Sequence, residues 1–114
     1  MKGKPLTFKE YQRKSRVTAV YPDIGKNFVY PTLGIVGESG EVAEKIKKIL
    51  RDKGGQINEK DKQELSKELG DILWYIANLA TELHLKLDDI ALGNLDKLVS
   101  RLKRGQLHGE GDNR

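Results

Sequence analysis

The chain contains no cysteine. That excludes disulfides, thiolate metal sites and thiol nucleophiles, and it fits a reducing compartment. Histidine is almost as scarce: His84 and His108 are the only two, and they stand in no ligand spacing. No apolar run approaches the roughly 20 residues that a membrane helix requires. The N-terminus, MKGKPLTFKEYQRK, is charged and lacks the apolar core of a signal peptide. A cytoplasmic protein with no membrane association is expected. Seven aromatic residues and one methionine make a modest core. A monomer of 114 residues buries a limited fraction of its surface, which makes self-association an early expectation.

The length suggests one domain, residues 1–114. Lys and Arg number 21 against 17 Asp and Glu, a net charge of +4. This mild excess suits a solvated basic surface or a polyanionic partner. Nothing alternates with the period of a strand. Four helices are predicted. The first runs from about Thr7 to Val20, with Thr7 as N-cap and Glu10 at the capping-box position. Residues Tyr21 to Pro31, YPDIGKNFVYP, read as a loop. The second helix covers about Thr32 to Arg51, and Gly54-Gly55 marks the break after it. The third covers about Asp61 to His84. Asp88 is the expected cap of a fourth, ending near Arg104 with Gly105 just beyond. The tail QLHGEGDNR is polar, glycine-rich and expected to be mobile.

Leu65, Leu69, Ile72, Ile76, Leu79 and Leu83 follow one another at alternating spacings of four and three to form a seam on the third helix. Leu73, Trp74, Ala77 and Ala80 widen it. A helix apolar around most of its girth is buried around most of its girth, so this one is expected at the centre of an oligomer, with a tight monomeric bundle as the alternative. The fold class is all-α, a four-helix-type bundle that is oligomeric.

Glycines at 34, 37 and 40 interrupt the second helix beside two acids, Glu38 and Glu41. Each interior glycine costs about 1 kcal/mol relative to alanine. On a helical wheel, at about 100° per residue, Glu38 at 0° puts Glu41 at about 300°, Lys45 at about 340° and Lys48 at about 280°. On the third helix, Glu68 at 0° puts Asp71 at about 300°, Tyr75 at about 340° and Asn78 at about 280°. Each acidic pair thus flanks an apolar seam at the same angle. Packed antiparallel through the Gly-Gly turn, the pairs can face each other.

Four facing carboxylates cannot all stay ionised without compensation, because like charge and burial both raise their pKa values. An oxygen-only donor set without histidine or thiolate suits Mg²⁺, with Mn²⁺ as the alternative. Mg²⁺ held in this way commonly completes its shell with substrate phosphates. Lys45 and Lys48 would then neutralise phosphate oxygens, and Tyr75 and Asn78 would hydrogen-bond phosphate or sugar. Against this stands the ordinary role of such pairs as a solvated helix face, stabilised by spacings such as Glu41 to Lys45 and Glu44 to Lys48.

GESGEVAEKIKK followed by KELGDILWYIANLA resembles the MazG-like nucleotide pyrophosphohydrolases of the all-α NTP pyrophosphatase superfamily. Their acidic signature appears here as Glu38-x-x-Glu41, 26 residues, then Glu68-x-x-Asp71. The resemblance implies a homodimer or homotetramer with Mg²⁺ at Glu38, Glu41, Glu68 and Asp71. It implies hydrolysis of a (d)NTP between the α and β phosphates to (d)NMP and pyrophosphate. Water would be the nucleophile, with Glu38 or Glu41 as the general base. Lys45, Lys48, Tyr75 and Asn78 are the expected substrate contacts.

Tyr21, Phe28 and Tyr30 read as closing the bundle or a subunit contact, with base stacking as the alternative. Trp74 reads as core. Lys97, Arg101, Lys103 and Arg104 suit a helix C-terminus. The rival function is a non-enzymatic helical module that binds nucleic acid or protein through this basic stretch. It leaves the acidic quartet without a role, so a nucleic-acid partner is not expected.

Overall fold

The first helix starts at its cap: Thr7 Oγ1 accepts the N–H of Glu10 at 3.1 Å. In the computed structural model, which describes residues 3–114, this helix is α1, Phe8–Ser15, followed by a single 3₁₀ turn, Arg16–Thr18. It is shorter than the Thr7–Val20 span expected. The reason is local competition for carbonyls. Ser15 Oγ donates to Gln12 O at 2.8 Å and Thr18 Oγ1 to Ser15 O at 3.3 Å.

Helix α2, Val29–Lys53, begins three residues before the expected Thr32. Pro31 sits in its first turn, where a missing N–H has no helical partner to lose. Asn27 Oδ1 accepts the Tyr30 N–H at 2.9 Å and stabilises the same turn. At the other end Gly54 and Gly55 take φ of +60° and +84°, and the Gly55 N–H closes on Ile49 O at 3.1 Å. Only glycine adopts this reversal without strain.

Helix α3, Glu59–Glu82, opens on a reciprocal cap. Asn58 Oδ1 accepts the Asp61 N–H at 2.8 Å, and Asp61 accepts the Asn58 N–H at 3.1 Å. Asp61, expected to start the helix, is the acid of that box. Helix α4, Leu87–Lys103, is not capped by Asp88. Instead Gln12 Oε1, from α1, accepts the Leu87 N–H at 2.9 Å. Asp88 and Asp89 lie in the first turn, where the helix dipole favours negative charge. Gly105, at φ +70°, terminates the helix as expected.

The all-α expectation holds: four α-helices, and no strand among the described residues. None of these helices is long and apolar enough to cross a membrane. α2 and α3 form an antiparallel hairpin, α1 lies along α3, and α4 packs chiefly on α1. The helices therefore do not close into a bundle. The radius of gyration is 17.1 Å, whereas a compact chain of this length has about 13 Å. α3 is central within the chain itself, with Ala77 and Ala80 covered.

A clasp holds the loop before α2 against the end of α3. Glu82, its side chain fully covered, accepts from Arg16 Nη1 at 3.0 Å, Tyr21 Oη at 2.5 Å, and the N–H groups of Gly25 at 3.0 Å and Asn27 at 2.7 Å. Burial pushes the Glu82 carboxyl up, but these donors outweigh it and take its pKa down to about 2. The tail is folded back on α4 rather than free: Lys97 and Arg101 both hold the Asp112 carboxylate, at 2.9 and 3.1 Å.

Candidate metal centre

The α2/α3 hairpin brings three carboxyl groups together. One oxygen from each of Glu38, Glu68 and Asp71 lies within 4.8 Å of the others. Glu38 and Glu68 are half-buried and Asp71 is exposed, so the cluster has a covered floor and an open side. Glu68 Oε2 is buried and has no hydrogen-bond partner among the described residues. Either a proton on Glu38 or a cation satisfies it. Glu38 is accordingly pushed up to about 7, by the hydrogen bond it shares with Glu68, by burial, and by the charges of Glu68, Asp71 and Glu41. An all-carboxylate donor set with one orphaned buried oxygen fits a hard divalent cation.

Glu41 is not part of this group. It is exposed, one turn further along α2, and contributes to Glu38 only through its charge. Its spacing from Lys45 forms no ion pair; Glu44 pairs with Lys47 instead, at 3.1 Å.

Two clefts flank the acids along the hairpin. Towards the Gly-Gly turn, Lys45 and Lys48 line a cleft of about 170 Å³ together with Asp61 and Glu64. In the other direction lies an aromatic cleft of about 240 Å³ walled by Tyr21, Tyr30, Trp74 and Tyr75. Tyr21 and Tyr30 stack at 5.0 Å, and Trp74 stands edge-on to Tyr75 at 5.1 Å. Burial, the Tyr30 hydroxyl and the charges of Glu38 and Asp71 push the Tyr75 hydroxyl above its ordinary value. Tyr75 is thus at the junction of acids and aromatics.

Asn78 is placed differently from the other candidates. It is fully buried. Its amide donates to Ser15 Oγ at 3.3 Å and Trp74 O at 3.0 Å, and its oxygen accepts from Arg16 at 3.1 Å. It therefore joins α1 to α3 and offers no free group to a ligand. Tyr11 was not anticipated. It lies on α1, and its hydroxyl is raised by burial and then by the charge of Asp71. No local spacing links residues so far apart in sequence.

The segment 31–105, which carries all three clustered acids, matches the family model of the MazG nucleotide pyrophosphohydrolase domain. The chain belongs to the MazG family. Over 109 residues it is 47% identical to the Gene 37 protein of Mycobacterium phage L5, covering 91% of this chain and 96% of that protein. No solved structure shows significant similarity to it. The MazG segment contains all of α3 and α4 and all but the first two residues of α2. Helix α1 and the whole loop before α2 lie outside it, yet they supply Tyr11, Tyr21 and the donors to Glu82.

Proposed function

We propose that this MazG protein is a Mg²⁺-dependent nucleoside triphosphate pyrophosphohydrolase. It cleaves a (d)NTP between the α and β phosphates to (d)NMP and pyrophosphate. The observation that carries this reading is the convergence of Glu38, Glu68 and Asp71 around an orphaned carboxylate oxygen. These three residues would hold the cation, with Glu41 completing the acidic site as substrate enters. Mn²⁺ suits the same oxygens. When bound, the cation neutralises phosphate charge and lowers the pKa of water.

The chain's own groups do the rest. The aromatic cleft receives the nucleoside, with Tyr75 at its inner edge. Lys45 and Lys48 lie beyond the acids on the opposite side, towards the departing pyrophosphate. Glu38 and Glu41 are the candidates for accepting the proton of the attacking water. Glu38, pushed up to about 7 without a cation, would be ionised once a cation offsets the neighbouring charges. A cytoplasmic setting accords with the absence of cysteine.

The functional unit is a homo-oligomer, a dimer or a tetramer. Two apolar stripes support this. On α2, Val29, Leu33 and Val36 are 53%, 65% and 67% exposed. On α4, Leu92, Leu95 and Leu102 are 59%, 60% and 64% exposed. Stripes of this extent are characteristic of subunit contacts. Leu73, Trp74 and Ala77 do not supply these stripes; Ala77 is fully covered by the chain itself.

The test is product analysis with (d)NTPs, Mg²⁺ and wild-type protein, alongside Glu41→Gln and Asp71→Asn. Pyrophosphate and a monophosphate are expected from wild type and not from either variant. Orthophosphate with a diphosphate as primary products would rule out α–β cleavage.

A further inference from the structure

Gly34 and Tyr75 meet one rung beyond the acids. Gly34 stands one turn before Glu38 on α2, and Tyr75 one turn after Asp71 on α3. A Cβ on Gly34 would fall 2.3 Å from two ring carbons of Tyr75 and 2.5 Å from a third. Real Cβ atoms do not approach that closely, and an aromatic ring cannot yield as a flexible chain end does. Gly37, Gly40 and Gly70 have nothing within 4 Å of the equivalent position. Of the hairpin's mid-helix glycines, then, only Gly34 is demanded by packing inside the chain. The ring seated against it is the one that joins the aromatic cleft to the acid cluster, 6.3 Å from Tyr30 and 5.1 Å from Trp74.

We propose that Gly34 is a positioning residue: its missing side chain forms a notch in α2 that seats Tyr75 and so sets where the nucleoside lies relative to the acids. The inference rests on the hydrolase reading above, but the notch has a consequence independent of it. Alanine at this site favours the helix itself, so what the substitution disturbs is the contact between α2 and the Tyr75 ring. Trp74, the only tryptophan, packs edge-on against Tyr75 and reports any displacement.

The experiment uses four variants of the full chain: Gly34→Ala, Tyr75→Leu, the double variant, and Gly93→Ala on α4 as an open-site control. Gly34→Ala is expected to alter the tryptophan emission, and Gly93→Ala to leave it unchanged. It should lower kcat/KM for a (d)NTP by about 10- to 100-fold, the scale a displacement of ~1 Å brings. The Mg²⁺-induced melting shift should be kept, since the acids are untouched. In the Tyr75→Leu background the same substitution should change kcat/KM by no more than about twofold, because the ring it displaces is gone. Unchanged emission in Gly34→Ala, or an equal loss in both backgrounds, would overturn the proposal. Wild-type protein inactive on every triphosphate would instead overturn the hydrolase reading, and the emission change would still decide the seat.

Discussion

Glu38 on α2 and Glu68 on α3 face each other carboxyl to carboxyl, and Glu38 keeps its proton up to about 7. Without a cation, removing that proton places like charges together.

The pH dependence of the free protein follows. Because the Glu38 pKa is raised on folding from 4.5 to about 7, the folded state binds more protons than the unfolded state in that window. Stability contributed by Glu38 therefore falls as pH rises through it. Thermal melts without divalent cation should show a lower Tm above the window than below it. Glu38→Gln should flatten the trend and raise the Tm at the alkaline end. A wild-type Tm that rises across the window would contradict this.

Glu82 has the opposite sign. Its carboxyl is held down to about 2, so its contribution is complete above 4.5 and is lost as pH falls from there. Glu82→Ala leaves Arg16 without its counter-ion and two loop N–H groups without an acceptor. Losing one partner of a buried charge pair costs about 3–5 kcal/mol. Urea unfolding at neutral pH measures this, and the difference between variant and wild type should shrink in acid.

The capping box at the start of α3 gives a smaller and cleaner effect. Asn58→Ala should destabilise by about 1 kcal/mol, the usual value of an N-cap. Activity should fall far less than in Asp71→Asn, because the cap lies at the turn end of the hairpin, away from the acid cluster. Denaturant midpoints compared with wild type settle the size.

Assembly should respond to charge placed on the exposed stripes. Light scattering is expected to show a wild-type mass that is a multiple of 12.9 kDa. Leu33→Asp on α2 and Leu95→Asp on α4 should each lower the order of assembly. A folded wild-type monomer of 12.9 kDa would end the oligomer reading.

By itself the sequence determined the helical class, the Gly-Gly reversal and the pairing of the acids. Those features are written in local periods: 3.6 residues per turn, glycine where φ is positive, and carboxylates one turn apart beside an apolar seam. The second acidic pair was legible for the same reason, since its angle to its own seam matches the first. What the tertiary structure decided is which members of a pattern converge. Glu38, Glu68 and Asp71 meet while Glu41 stays outside, because two helices in contact bring only their facing edges together. Asn78 shares the Asp71 face by spacing, but α1 closes over it, and Arg16 and Ser15 take its hydrogen bonds. Gln12 caps α4, and Glu82 holds a loop far from it in sequence. Such contacts join residues whose separation carries no period, and only the packing of the whole chain brings them together.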